Sequence, residues 1–411
     1  MNVSIAIVPM AIKDIKKKKM NILFLTQSFA VGGVPMITVK LANEFSRRNH
    51  NVTIVAFENI KGETVRNLIS KEVKSYVLSG TKCNSNNIGL MHEILTANKI
   101  KVVINQRGLN PILLKTAYRA SKGLGVKFIS IYHSAPDMNG RLQSVDIKLA
   151  KPTNTFLKTI YKCQRKIYQK ITAASMRWNY RHSDLFIVLS PSFIPKFISY
   201  TQIKDHSKLI SLTNPVTLDA TGFSYKQENK SKEIIFVGRL DFYSKRVSRI
   251  INTWELIEGK YPDWKLTIIG DGPDRKSLEK LSEEKKLKHI SFEGFQNPIE
   301  YYKRASILIL TSEFEGFPLV LAESMSFGVI PAVYGSFSSV YDIITDNVNG
   351  VIIPYQQKGY DATSMANRII EIISNKTKQR LMAEAAIKES KNFSMDIIYR
   401  KWEQILSKLA N

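Results

Sequence analysis

The stretch Thr311–Gly328, TSEFEGFPLVLAESMSFG, sets two carboxylates, Glu315 and Glu323, on either side of the seven residues GFPLVLA. Just before it stands SILIL (306–310), apolar without alternation, which reads as a strand covered on both faces. Pro318 suits the first turn of a helix, Leu319 to Phe327 continue it, and Gly328 stops it. A helix beginning there presents unpaired backbone N–H groups and the positive end of its dipole, a ready place for phosphate. Glu315 falls on the turn before that tip and Glu323 a turn inside the helix, where each can accept hydrogen bonds from hydroxyls on either side of a bound phosphate. A phosphate flanked by polyhydroxylated rings describes a nucleotide-sugar.

The same strand–helix grammar runs through the chain. NILFLT (21–26), NVTIVAF (51–57), KVVIN (101–105), KFISIYH (127–133) and LFIVLS (185–190) form one set of expected strands. EIIFVG (233–238), KLTIIG (265–270), ISFEGF (290–295), SILIL (306–310), IPAVYG (330–335) and GVIIP (350–354) form a second. Strands apolar throughout and separated by helices predict parallel, doubly wound sheets, and a chain of 411 residues is long enough for two domains of roughly 200 each. The expected fold is therefore α/β: two Rossmann-like domains facing a cleft. SLTNPVTLDATGFSYKQENKSKE (211–233), polar and turn-rich, reads as the linker. The expected division is a leader over 1–19, an acceptor-binding domain over 20–212, a nucleotide-sugar domain over 213–392 and a terminal helix over 393–411. That helix carries Ile398, Trp402, Ile405 and Leu409 on one stripe behind the cap residue Ser394.

A second constellation lies in FVGRLDFYSKRV (236–247), where Gly238 ends a strand, Arg239 follows at its carboxyl end and Lys245 opens the next helix. Two fixed cations beside a helix tip can neutralise a departing diphosphate. In the first domain Gly32 and Gly33 follow the first strand, where missing side chains let backbone approach a ligand. The dinucleotide fingerprint G-x-G-x-x-G is absent, against a nicotinamide cofactor. His133 ends KFISIYH, again at a strand's carboxyl end.

VGRLDFYSKRV, GDGP (270–273) and TSEFEGFPLVLAESMSFG, in that order, resemble the retaining glycosyltransferases of family 4, with GT-B architecture. FAVGGVPMITVKLANEFSRRNHNVTIV (29–55) resembles the first strand–loop–helix–strand of that family, and the likeness extends from about Met20 to the C-terminus. The resemblance implies that Arg239 and Lys245 bind the diphosphate, Glu323 holds the ribose and Glu315 contacts donor-sugar hydroxyls. It further implies that the backbone around Gly238, Gly316, Phe317, Leu319 and Val320 helps cradle the donor, that Gly32 and Gly33 face it from across the cleft, and that His133 positions the sugar. Lys245 stands six positions after Arg239, one more than in many members. The last helix is expected to cross back to the first domain. No cofactor is expected beyond the nucleotide-sugar substrate, and no metal, since there is no His/Cys cluster and no Asp-x-Asp pair of chelating kind.

The formal charge of +25 asks for an anionic partner. Between Arg141 and Lys208 thirteen Lys or Arg stand against three Asp, interleaved with aromatic and aliphatic residues as in NTFLKTIYKCQRKIYQK. Basic and apolar residues alternating at helical spacing point to an anionic membrane surface, and so to a membrane-borne acceptor such as a lipid-linked saccharide. Other readings stand beside this one. A nucleotide-sugar epimerase would share the architecture, and a nucleic-acid-binding protein would use the charge, although none of the usual base-reading signatures is present. The lysines at 16–19 follow an apolar run, the reverse of a secretory signal, and two distant cysteines, Cys83 and Cys163, suit a reducing compartment. The expected location is cytoplasmic, at the inner face of the cell membrane.

Overall fold

The computed structural model describes residues 19–59, 65–150 and 154–410, so the expected leader lies outside the described residues but for Lys19. Among the described residues thirteen strands form two sheets, parallel throughout. The first holds β1 (Asn21–Ser28), β2 (Asn51–Glu58), β3 (Lys74–Val77), β4 (Val102–Asn105), β5 (Lys127–Tyr132), β6 (Leu185–Val188) and β7 (Leu209–Ser211) in the order β3-β2-β1-β4-β5-β6-β7. The second holds β8 (Glu233–Val237), β9 (Lys265–Ile269), β10 (Ile290–Gly294), β11 (Ile307–Leu310), β12 (Ile330–Gly335) and β13 (Val351–Pro354) in the order β10-β9-β8-β11-β12-β13.

β1 shows why the strands lack alternation. Ile22 and Phe24 bury into one core, and Leu23 and Leu25 into another on the opposite face. Successive side chains point to opposite faces, so a sheet with helices on both sides needs apolar residues at every position. β3 and β7, absent from the sequence reading, are short edge strands, and β3 is only partly buried along its length.

In both sheets the strand order reverses once, between β1 and β4 in the first and between β8 and β11 in the second. Chain leaving two adjacent strands there turns to opposite faces of the sheet, and the crevice so opened is where ligands bind in such folds. Gly32 and Gly33 follow β1, Gln106 and Arg107 follow β4, Gly238 and Arg239 follow β8, and Thr311–Gly316 follow β11.

The helix Met395–Ala410 lies against the first domain. Tyr399 packs edge-on to Phe45 at 5.2 Å between ring centroids, Trp402 lies 5.9 Å from the same ring, and Arg48 pairs with Asp396. The fully buried line on this helix is Ile398, Tyr399, Trp402 and Leu406, with Ile405 and Leu409 at its margin. The carboxylate of Asp342 accepts the backbone N–H of Ser192 at 3.1 Å and the Ser190 hydroxyl, a second tie between the domains.

Candidate functional site

The loop after β11 holds the site together. Glu313 N–H donates to the carbonyl of Ser244 at 2.7 Å, Ser339 Oγ donates to the Gly316 carbonyl at 2.8 Å, and Ser312 Oγ donates to Glu315 Oε1 at 2.6 Å. Lys245 Nζ reaches the same carboxylate oxygen at 2.5 Å, so the loops leaving β8 and β11 are joined by an ion pair whose side chains are 18% and 14% exposed. At that burial a charged hydrogen bond stabilises more than a surface pair.

The helix expected after Pro318 runs Leu319–Ser326, with Pro318 as its N-cap and Gly328 beyond its end at φ 71°. Leu321 N–H bonds to the Pro318 carbonyl, whereas Leu319 and Val320 donate none of the hydrogen bonds found among the described residues. Their N–H groups form the open electropositive tip. Phe317 is buried against Phe393 at 5.4 Å and anchors the approach to it. Glu323 is buried inside the helix and accepts Thr217 Oγ1 at 3.0 Å. Burial raises its carboxyl above the ordinary value, partly opposed by the Thr217 hydrogen bond.

Arg239 is exposed and takes part in none of the side-chain hydrogen bonds or ion pairs found among the described residues. Its loop is held by backbone and by neighbouring carboxylates: Gly238 N–H donates to the Ile269 carbonyl at 3.0 Å, Asp241 accepts the N–H groups of Tyr243 and Ser244, and Asp274 accepts that of Phe242. A Cβ on Gly270 would lie 1.9 Å from the Gly238 carbonyl oxygen, and one on Gly272 would lie 2.2 Å from that of Leu240. The GDGP segment is therefore the floor on which Gly238 and Arg239 rest, a role that only glycine permits.

From the first domain His133 meets this loop. A Cβ on Gly316 would fall 2.3 Å from the His133 carbonyl oxygen. The His133 ring is fixed on both sides: Nε2 lies 2.7 Å from Gln106 Oε1, and Asn214 Nδ2 lies 3.3 Å from Nδ1. An amide oxygen only accepts, so Nε2 carries the proton and Nδ1 is the acceptor. Burial, with the nearby Arg107 charge, lowers the ring to about 3, which keeps it neutral. Gly32 caps the helix Gly33–Arg47, and Gly33 is exposed with nothing within 4 Å of where its Cβ would be, so backbone is open to solvent there.

The sequence reading missed Gln106, Asn214 and Thr217, the partners of His133 and Glu323. Asn214 and Thr217 lie in the stretch taken as linker, whose Asn-Pro marked only a turn. It also missed a cavity of 390 Å³ between the domains, lined by Gln143, Ile147, Tyr243, Arg246, Phe314 and Phe337 among others. Arg239, Lys245, Glu315 and Glu323 do not line it, but the neighbours of two of them, Arg246 and Phe314, do. A larger cavity, 570 Å³, is lined by Thr217, the partner of Glu323, together with Arg47 and Lys391, while Arg239, Lys245, Glu315 and Glu323 themselves do not line it. Among the described residues no three His, Cys, Asp or Glu side chains gather as a metal site would require.

Residues 31–217 match the family model for Glycosyltransferase Family 4, and residues 220–389 match that for Glycosyl transferases group 1. An alpha-1,4-N-acetyl-D-galactosaminyltransferase of Campylobacter jejuni, named for a PP-undecaprenol acceptor, is 25% identical over 95% of this chain and 99% of its own. A glycosyltransferase of Haemophilus influenzae is 30% identical over 49% of this chain and 55% of its own. For two further relatives the match spans 20% and 49% of their length, so with the Haemophilus protein the chain spans about half or less of these curated relatives. The structure of Anabaena HepE in complex with UDP superposes with a TM-score of 0.72 at 16% identity, over 95% of this chain and all of that one, a likeness of fold. None of these proteins is named as an epimerase. One model matched on each Rossmann-like domain, with a cleft between the two, places the chain among the glycosyltransferases of GT-B architecture.

Proposed function

We propose that this chain transfers a sugar from a nucleotide diphosphate-sugar to an acceptor hydroxyl, with retention at the anomeric carbon, as a family 4 enzyme. The observation that carries the reading is the Lys245–Glu315 pair set between the exposed Arg239 and the open helix tip at Leu319 and Val320. On this reading the diphosphate lies between the tip and the two cations, which stabilise charge as the anomeric C–O bond breaks. Glu315 receives donor-sugar hydroxyls, Glu323 the ribose, and neutral His133 holds the sugar from the other domain. Gly238, Gly316 and Phe317 shape the donor's bed, and Gly32 and Gly33 close over it. The new bond joins the anomeric carbon to the acceptor oxygen, and the acceptor's proton leaves with the diphosphate. The chain's own cations, rather than a metal, meet the leaving charge.

The acceptor is a saccharide, lipid-linked, in assembly of a surface polysaccharide, lipopolysaccharide, capsule or glycolipid. Full-length alignment with a relative named for a PP-undecaprenol acceptor supports that class, as does the excess of cations between Arg141 and Lys208. No helix among the described residues is long and apolar enough to cross a membrane, and the proposed location is peripheral, on the cytoplasmic face. A panel of nucleotide-sugars, assayed for nucleoside diphosphate release with and without saccharide acceptor, tests the reading. Acceptor-dependent release supports transfer, conversion of the sugar with no acceptor means an epimerase, and no turnover of any donor defeats it.

A further inference from the structure

The helix Thr155–Arg181 is 27 residues long, and its first half is uncovered. Phe156, Ile160, Cys163, Ile167 and Ile171 follow one another at steps of four, three, four and four, which lines them along one face. All five are exposed, Phe156 by 74% and Ile167 by 56%. Lys158, Lys162, Lys166 and Lys170, also exposed, form a second row at four-residue steps that starts opposite the stripe at Lys158 and winds to its flank at Lys166 and Lys170. The helix contains no Asp or Glu, and among the described residues only its Arg165 has a carboxylate partner, Asp146 at 2.6 Å. Like charges four apart repel, and exposed apolar rows gain nothing from water, so this surface is unfavourable in isolation on two counts.

We infer that this helix is a docking device for an anionic phospholipid bilayer: the Phe156–Ile171 stripe enters the acyl boundary, and Lys166 and Lys170 on its flank meet the phosphate headgroups. Charge complementarity selects this occupant. A second copy pairing through the same stripe would bring two lysine rows together with no carboxylate in either helix. Nucleic acid would satisfy the lysines and leave a row of Phe and Ile without a partner.

The placement joins the surface to the cleft. Arg165 holds Asp146, Lys148 Nζ lies 5.6 Å from the Tyr161 ring centroid, and Asp146 and Ile147 themselves line the interdomain cavity. A bilayer seated on the stripe therefore lies one helix away from the cavity. The inference depends on the proposed transferase reading only for its purpose, delivery of a lipid-borne acceptor, and the test separates the two.

The full-length chain, in a Cys83→Ser background with an environment-sensitive fluorophore on Cys163, is titrated with vesicles of phosphatidylcholine plus phosphatidylglycerol and with phosphatidylcholine alone. The expected result is a blue shift with the anionic vesicles only. Phe156→Ser with Ile167→Ser weakens partitioning of the unlabelled chain, and separately Lys166→Gln with Lys170→Gln weakens it about 25-fold, given roughly fivefold per cation near such a surface. Donor turnover on a soluble acceptor stays at the parent level in these variants, and circular dichroism confirms that they fold. Equal partitioning to both vesicles, unchanged partitioning of the variants, or a dimer by light scattering that the stripe variant abolishes would each overturn the docking. Loss of donor turnover in the parent chain bears on the transferase reading alone.

Discussion

Gly316 in the second domain stands against the backbone of His133 in the first, so close that a single added methyl group would fall 2.3 Å from the His133 carbonyl oxygen. Backbone faces backbone, and no flexible side chain can swing aside. Gly316→Ala must therefore open the cleft or push the loop that carries Glu315. Strain of about 1–3 kcal/mol follows from overpacking of this kind. The expected result is a fall in kcat/KM of about 10- to 100-fold. Steady-state kinetics beside thermal unfolding checks it, and an unimpaired variant would mean that the two domains do not close against this contact during turnover.

Arg239 and Lys245 are both assigned to the diphosphate, yet their surroundings separate them. Arg239 is exposed with no partner among the described residues, so Arg239→Ala should leave unfolding within about 0.5 kcal/mol of the parent. Turnover should nevertheless fall at least ~100-fold. Lys245 is held by Glu315 at 2.5 Å, and Lys245→Met leaves that carboxylate with Ser312 alone. A loss of about 1–3 kcal/mol is expected in addition to the loss of turnover. Adding Glu315→Gln should restore part of the stability and none of the activity. Calorimetric affinity for nucleoside diphosphate, read beside denaturant melts, distinguishes the two cations; a large loss of stability in the Arg239 variant would show that it has a structural role.

Glu323 offers a test by pH. Its folded-state carboxyl is raised above the ordinary 4.5 by burial, so the native chain keeps the proton to higher pH than the unfolded chain does. Stability from this group is therefore greatest at acid pH and declines as pH rises past 4.5. Glu323→Gln lacks the decline and can still accept the Thr217 hydroxyl. Its melting temperature should approach the parent's at acid pH and exceed it once pH rises past 4.5, the gap levelling off when the parent's carboxyl is ionised in the folded chain. Parallel curves would exclude a raised carboxyl. Donor KM should rise in the same variant, since an amide replaces the charged acceptor proposed for the ribose.

His133 gives the opposite sign. Its ring is lowered to about 3 from an ordinary 6.5, so it stays neutral while the unfolded chain takes up a proton below 6.5. The stability it contributes is complete above 6.5 and is lost as pH falls from there towards 3. Nitrogen-resolved NMR of the ring should show no titration between about pH 5 and pH 8, with the proton on Nε2 throughout. Titration near neutrality would dissolve the Gln106–His133–Asn214 chain as described.

The parallel character of both sheets was legible in the residues, because a strand buried on two faces has to be apolar at every position, as Ile22 to Leu25 are. β3 and β7 were not, since edge strands of four and three residues carry too little buried surface to leave a pattern. The residues proposed to meet the donor could be picked out one at a time for a similar reason: strand ends, glycines and a helix-starting proline are local features, and local sequence fixes them. What Glu323 and His133 touch is another matter. Thr217 lies 106 residues from Glu323 and Asn214 lies 81 from His133, and both partners sit in a stretch that reads only as a turn-rich connection. Such contacts arise where the connection after β7 passes the loop after β5 and the helix after β11, and their geometry is set by tertiary packing, which no periodicity along the chain records.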